Sequence, residues 1–162
     1  GATIALVGEA PGKQEDEQGR PFVGPAGKLL DKLLEEVGIS VTVWRDNVVH
    51  CRPPNNAIRE YPDAVYRCPS LWLLPGLDAM PNLRVIVAMG ATAGILFFPG
   101  KRAGEMATLA RKLPNGKVVV GSYHPAYALR GGEAARESIV ASLRRAAHYN
   151  ILLGGGPTDR GY

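Results

Sequence analysis

Three short runs dominated by apolar, largely β-branched residues constrain this chain more than any other feature: Thr3 to Val7, Leu83 to Met89 and Lys117 to Gly121. Each is strand-length, and the first two stop at a glycine, Gly8 and Gly90. Uninterrupted apolar strands of this kind are buried on both faces, which is the signature of a parallel sheet covered by helices. The intervening stretches supply the helices. Leu29, Leu30, Leu33, Leu34 and Val37 fall on one helical face, with Lys28, Asp31, Lys32, Glu35 and Glu36 opposite. Pro25 suits the first turn of that helix and Gly38 its C-terminal cap. Val41 to Val49 is β-rich, Pro62 to Leu74 reads as a helix that Pro69 must kink or restart, and Ala91 to Phe98 reads as a short helix. Glu133 to about Tyr149 is the last helix, with Ile139, Leu143 and Ala147 inward.

Strands alternating with helices predict an α/β fold, a three-layer α/β/α sandwich around a central parallel sheet. At 162 residues the chain should bury roughly 70% of its unfolded surface, enough for one core without disulfide staples. One domain over residues 1–150 is expected, followed by a tail over 151–162 rich in glycine. A hydrophobic fraction of 46% with 21% charged residues excludes bulk disorder. Two cysteines do not make a disulfide scaffold. No leader pattern opens the sequence, and the longest uncharged stretch, Val85 to Gly100, is broken by Gly90, Gly94 and Pro99, too short for a bilayer span. These features read as a soluble, cytoplasmic (intracellular) protein with no membrane partner, and a monomer is expected.

In open parallel sheets, ligands bind outside the carboxyl ends of the strands. Three unusual loops, at 8–24, 47–56 and 123–130, follow predicted strands and should converge there. Several familiar sites are excluded: the Lys28 region lacks the glycine spacing of a phosphate loop, no dinucleotide fingerprint or His-Glu-x-x-His helix occurs, and His50, His124 and His148 have no zinc-ligand spacing. Charge is asymmetric. Residues 1–40 carry a net −3 and residues 101–162 a net +6. A basic C-terminal third suits a polyanion or, equally, a solvated face.

The loops themselves are distinctive. Gly8-Glu9-Ala10-Pro11-Gly12 places one carboxylate in a backbone-rich turn after a strand; Gly19 to Gly24 carries Phe22; Asn47-Val48-Val49-His50-Cys51-Arg52-Pro53-Pro54 follows the second β segment; and His124-Pro125-Ala126-Tyr127 leads to Leu129-Arg130. Taken singly, Glu9 is an exposed turn residue, Phe22 a core residue, Asn47 a turn or capping residue and His124 a loop cap. Taken together and in order, the four segments resemble the uracil-DNA glycosylase superfamily, and most closely its iron–sulfur-containing branch, family four, over nearly the whole chain to about Tyr149.

The resemblance implies a four-stranded parallel sheet and hydrolysis of the bond between deoxyribose and uracil in DNA, with the base flipped out of the stack. It implies that Glu9 orients the attacking water and that His124 hydrogen-bonds uracil O2 as negative charge grows there. Gly8, Ala10 and Gly12 would line the base pocket, Phe22 would stack on the base and Asn47 would read its N3–H and O4. By spacing, Glu15 maps to the side chain that blocks the thymine methyl. Pro125, Tyr127 and Arg130 would hold DNA at the minor groove. Lys101, Arg102, Arg111, Lys112, Arg144 and Arg145 are further candidates for phosphate contact.

Cys51 and Cys68, with sixteen residues between them, match the third and fourth ligands of the branch's 4Fe–4S cluster. Such a cluster takes four thiolates. The family's first pair lies upstream of the position where this sequence starts, so a preceding segment is expected to complete any cluster; otherwise both cysteines are plain buried residues. Two other readings remain open: a glycosylase of this fold for another deaminated or modified base, and a non-catalytic DNA-binding domain.

Overall fold

The computed structural model describes residues 1–39 and 43–155. In chain order it contains β1 (Ile4–Gly8), α1 (Lys13–Gln18), α2 (Pro25–Val37), β2 (Val43–Asn47), α3 (Pro62–Cys68), α4 (Leu74–Asp78), β3 (Val85–Met89), α5 (Ala91–Phe97), α6 (Ala103–Met106), β4 (Ala110–Lys112), β5 (Val118–Ser122) and α7 (Pro125–Leu152). The sheet order is β2-β1-β3-β5-β4.

The pleat explains the three layers. Ile4, Leu6, Val85, Val87, Met89, Val118 and Val120 point to one face, where Leu30, Leu33, Leu34 and Val37 of α2 meet Ile139 and Leu143 of α7. Their strand neighbours Ala5, Val7, Ile86, Ala88 and Val119 point to the other, against Leu73, Leu77, Ala93 and Phe97. β1, β3 and β5 are buried along their whole length, as their unbroken apolar runs require. Each large aliphatic side chain fully enclosed in this way contributes roughly 1.5–3 kcal/mol.

Four strands are parallel, as expected, but a fifth exists. β4 pairs antiparallel with β5 through Ala110–Val120, Arg111–Val119 and Lys112–Val118. It is three residues long and exposed throughout, so it carries no apolar alternation to read. The legible signal was the turn Pro114-Asn115-Gly116, where Gly116 adopts φ +88°. Its basic side chains blunt the sheet edge.

Two expected loops contain helix. The segment 8–24 folds into α1, where the backbone N–H of Gly12 donates to Glu15 Oε1 at 3.0 Å, half of a capping box. Most of the expected loop at 123–130 is instead the start of α7. Pro125 takes the first helical position and the His124 side chain caps it, while Gly132, at φ +74° and ψ −155°, breaks the helix before it resumes. Pro69, lacking an N–H, widens the helix after α3 into a π turn over Pro69–Leu73 rather than ending it. α7 extends through Leu152, into the expected tail; residues 156–162, like Val41 and Thr42 of the second β segment, lie outside the described residues. No helix among the described residues is long and apolar enough to cross a membrane.

Candidate active site

The carboxyl ends of β1, β2, β3 and β5 bring the predicted loops together. Beyond the sheet proper, Val48 N–H donates to Gly8 O at 2.9 Å and Val49 N–H to Glu9 O at 3.0 Å, so the loops after β1 and β2 run side by side. A Cβ on Gly8 would stand 2.7 Å from the Phe22 ring and 2.8 Å from Asn47 Oδ1. Any side chain there would displace both, which is why glycine ends β1. Asn47, the last residue of β2, is buried. Ala10 packs partly buried behind this turn.

Phe22 is held in the left-handed region at φ +56°, an unusual conformation for an aromatic residue that the surrounding packing must impose. Two devices impose it. Glu15 ties down the chain on either side of the turn, its Oε2 accepting from the N–H groups of Val23 at 2.9 Å and Gly24 at 2.5 Å while Oε1 accepts from Gly12. From below, Gly27 lets α2 approach so closely that a Cβ would overlap the Phe22 carbonyl. Glu15 was expected, by spacing, beside the base's C5 position; in the structure both of its carboxylate oxygens are engaged by backbone amides of the loop.

His124 follows β5. Its Nδ1 accepts a hydrogen bond from Ala126 N–H at 3.0 Å, which caps α7 and leaves the proton of the neutral ring on Nε2. The plain reading of His124 as a cap is therefore correct, and the cap itself sets the tautomer. Burial holds the imidazole below the usual histidine pKa of 6.5; the Glu9 carboxylate pulls the other way, Arg130 adds to the lowering and Glu15 opposes it. The Phe22 and His124 rings lie 6.0 Å apart at 24°.

One corner of the site had no distinguishing sequence signal. Between β3 and α5, Gly90 adopts φ +89° with its N–H on Ser122 O, and a Cβ there would stand 3.1 Å from His124 Cβ. Two residues on, Thr92 Oγ1 donates to Glu9 Oε2 at 2.6 Å. A threonine in a first helical turn looks like any other from sequence alone.

An open cleft of about 1000 Å³ runs outward from Phe22 and Asn47, past Pro11, Glu15 and His50. His50 Nε2 sits 2.8 Å from Asp46 Oδ1. In the first turn of α7, Pro125 is buried, while Tyr127 is exposed and stacks on Tyr123 with ring centroids 4.7 Å apart. Leu129 and Arg130 are exposed on the same turns of α7. Among the other basic candidates, Arg145 donates to Ala107 O and Ser142 Oγ, and Arg111 to Phe97 O, so both are committed to the fold.

The cysteines are not buried core residues: Cys51 is exposed and Cys68 half-buried, with Cys68 Sγ accepting from His50 N–H at 3.4 Å. A four-iron cluster needs four thiolates. Among the described residues, no group of three or more His, Cys, Asp or Glu side chains stands where it could hold a metal, so this pair does not by itself fit a cluster.

The model of the uracil-DNA glycosylase superfamily matches residues 1–146. A Type-4 uracil-DNA glycosylase of Thermotoga maritima is 41% identical over 150 residues, covering 90% of this chain and 77% of that protein. A Type-4 uracil-DNA glycosylase of Archaeoglobus fulgidus is 40% identical over 79% of this chain and 67% of its own length, and one of Pyrobaculum aerophilum 35% identical over 78% and 68%. With that match spanning β1 to α7 and the predicted loops meeting at one end of the sheet, the chain belongs to the uracil-DNA glycosylase superfamily.

Proposed function

We propose that this chain is a DNA-repair hydrolase that cleaves the N-glycosidic bond of uracil in DNA and leaves an abasic site. The observation that carries the reading is the convergence of three strand ends: the Phe22 ring lies 6.0 Å from His124, Gly8 stands against both Phe22 and Asn47, and the Glu9 carboxylate is close enough to His124 to offset part of the pKa lowering that burial causes.

Each group has a task suited to its setting. A base stacked in the duplex keeps its edge and faces covered, so the nucleotide must swing out of the stack before Phe22 and Asn47 can meet it. Phe22 offers the base a fixed apolar face. Asn47 offers a carbonyl acceptor and an amide donor together, matching uracil N3–H and O4 and mismatching cytosine, whose amino group replaces O4. Because Asn47 is buried, a mismatched base leaves its amide unpaired, and that penalty gives the selectivity. As the bond stretches, negative charge builds on uracil O2 and positive charge on the sugar. A neutral His124, proton on Nε2, donates to O2 without first losing a proton to solvent. Glu9 accepts a proton from the incoming water and offsets the charge on the sugar. Tyr127 and Arg130, exposed on the turns of α7 that follow His124, are the groups this reading assigns to the DNA strand.

The match of Cys51 and Cys68 to the iron–sulfur branch carries the expectation of a cluster. Cys51 and Cys68 would supply two thiolates to such a cluster and would need two more from outside the described residues, so no step of the reaction is assigned to it.

The test is base release from an oligonucleotide carrying a single uracil, followed by alkaline cleavage of the abasic site. Wild type should cut at uracil only, with Glu9→Gln and His124→Ala each slower by roughly 10²–10³-fold while remaining folded. Parallel substrates carrying hypoxanthine or hydroxymethyluracil separate a different base preference. Wild-type rates in both variants would overturn the assignment of roles.

A further inference from the structure

The Glu9 carboxylate is met by a hydroxyl from a part of the chain that the four motifs do not include. Thr92 Oγ1 donates to Glu9 Oε2 at 2.6 Å, across 83 residues of sequence. That distance lies in the range of an O–H donor on an ionised oxygen, stronger than a neutral pair. We propose that Thr92 is a positioning residue for glycosidic cleavage: its hydroxyl fixes one oxygen of Glu9 so that the other faces the attacking water. This rests on the reading of Glu9 given above.

Three features support it. A glutamate has three rotatable side-chain bonds and gives up much of that freedom when fixed, so an unheld Glu9 would spend most of its time away from any one water. Threonine suits the anchoring role because its branched β-carbon restricts χ1, which holds the donor in one direction. The hydroxyl is also free for the purpose: as the second residue of α5, Thr92 has no preceding helical turn whose carbonyl could capture it.

The same corner touches the other reacting group. Gly90 turns the chain at φ +89°, passes beneath His124 and delivers Thr92 toward Glu9 two residues later. One rigid turn at the end of the central strand β3 therefore contacts both side chains expected to act on the bond. Placement of such groups to within about half an ångström is what supporting hydrogen bonds provide.

The experiment compares Thr92→Val, which keeps the shape and removes the hydroxyl, with Thr92→Ser, which keeps the hydroxyl. Single-turnover release of uracil should fall about ten- to a hundredfold in Thr92→Val with KM unchanged, and Thr92→Ser should restore most of it. In a Glu9→Gln background, Thr92→Val should cost much less than it does alone. Wild-type kcat in Thr92→Val, or an equal loss in Thr92→Ser, would overturn the proposal. If the wild-type chain releases no uracil, the glycosylase reading fails separately, and the pairing is then decided by melting. The Tm shifts of Glu9→Ala and Thr92→Val should be less than additive in the double variant, and strict additivity would overturn the pairing.

Discussion

The carbonyl of Phe22 occupies the space that a side chain on Gly27 would need. That contact joins the aromatic wall of the base pocket to the third residue of α2, so the helix acts as the floor on which the wall stands. Replacing glycine by alanine in a helix ordinarily stabilises by about 0.5–1 kcal/mol. Here the sign should reverse. Gly27→Ala should destabilise by roughly 1–3 kcal/mol, the usual cost of overpacking, and should lower kcat/KM for uracil release by moving the Phe22 ring. Gly76, also helical but with open space around its would-be Cβ, is the control. Thermal melting of both alanine variants checks this, and a stabilised, fully active Gly27→Ala would contradict the close contact.

Asn47 invites a test of selectivity. It is buried at the end of β2, with its side-chain oxygen against Gly8. Asn47→Ala removes both halves of the edge-reading pair and should lower kcat/KM for uracil by about a hundredfold, two lost hydrogen bonds of roughly 1–1.5 kcal/mol each. Cytosine should remain uncleaved, because nothing complementary to it is gained. Competition between uracil and cytosine oligonucleotides, with circular dichroism to verify folding, gives the measurement. Unchanged uracil turnover would remove Asn47 from the pocket.

The pH dependence follows from His124. Burial holds its folded-state pKa below the unfolded value of 6.5. As pH falls through 6.5 the unfolded chain takes up a proton that the folded chain still refuses, so stability from this residue is full above 6.5 and declines as pH drops toward the folded pKa, below which the decline levels off. Wild type should therefore lose more Tm than His124→Ala between pH 7 and pH 5. Activity should keep its plateau below pH 6.5, since the neutral ring is the donor. A protonated His124 in NMR spectra at pH 7 would refute both expectations.

The parallel sheet and the meeting of the loops at its carboxyl ends could be read in advance for a common reason: each carries a pattern that few other structures produce. Doubly buried strands need unbroken apolar runs, and Gly8, Glu9, Phe22, Asn47 and His124 fall in or at the edges of segments rich in glycine, proline and polar residues that directly follow predicted strands. What escaped lacked any such pattern. β4 is short and solvated, so no alternation marks Arg111 and Lys112. The turn from Pro125 to Gly131 was hidden by its proline and by the glycine pair that follows, both of which punctuate loops more often than helices. Thr92 was invisible because its partner follows the neighbouring strand β1, 83 residues away in sequence. Glu15 lines the cleft, and its carboxylate oxygens also bind the backbone of Gly12, Val23 and Gly24, a use that only the folded loop reveals.

The basic residues of the C-terminal third divide into two groups that salt can separate. Arg130 is exposed on α7, close enough to His124 to depress its pKa, and therefore beside the site. Arg145 instead spends its guanidinium on Ala107 O and Ser142 Oγ, closing the end of α6 against α7. Each phosphate contact contributes close to one counterion to the salt dependence of binding, so Arg130→Gln should weaken oligonucleotide binding and reduce the slope of log K against log salt by about 1. Arg145→Gln should lower Tm and leave that slope unchanged. Fluorescence anisotropy over a salt series, paired with melting curves, distinguishes the two. If Arg145→Gln altered the slope and Arg130→Gln did not, the strand would have to cross the α6–α7 side of the molecule rather than the entrance beside His124.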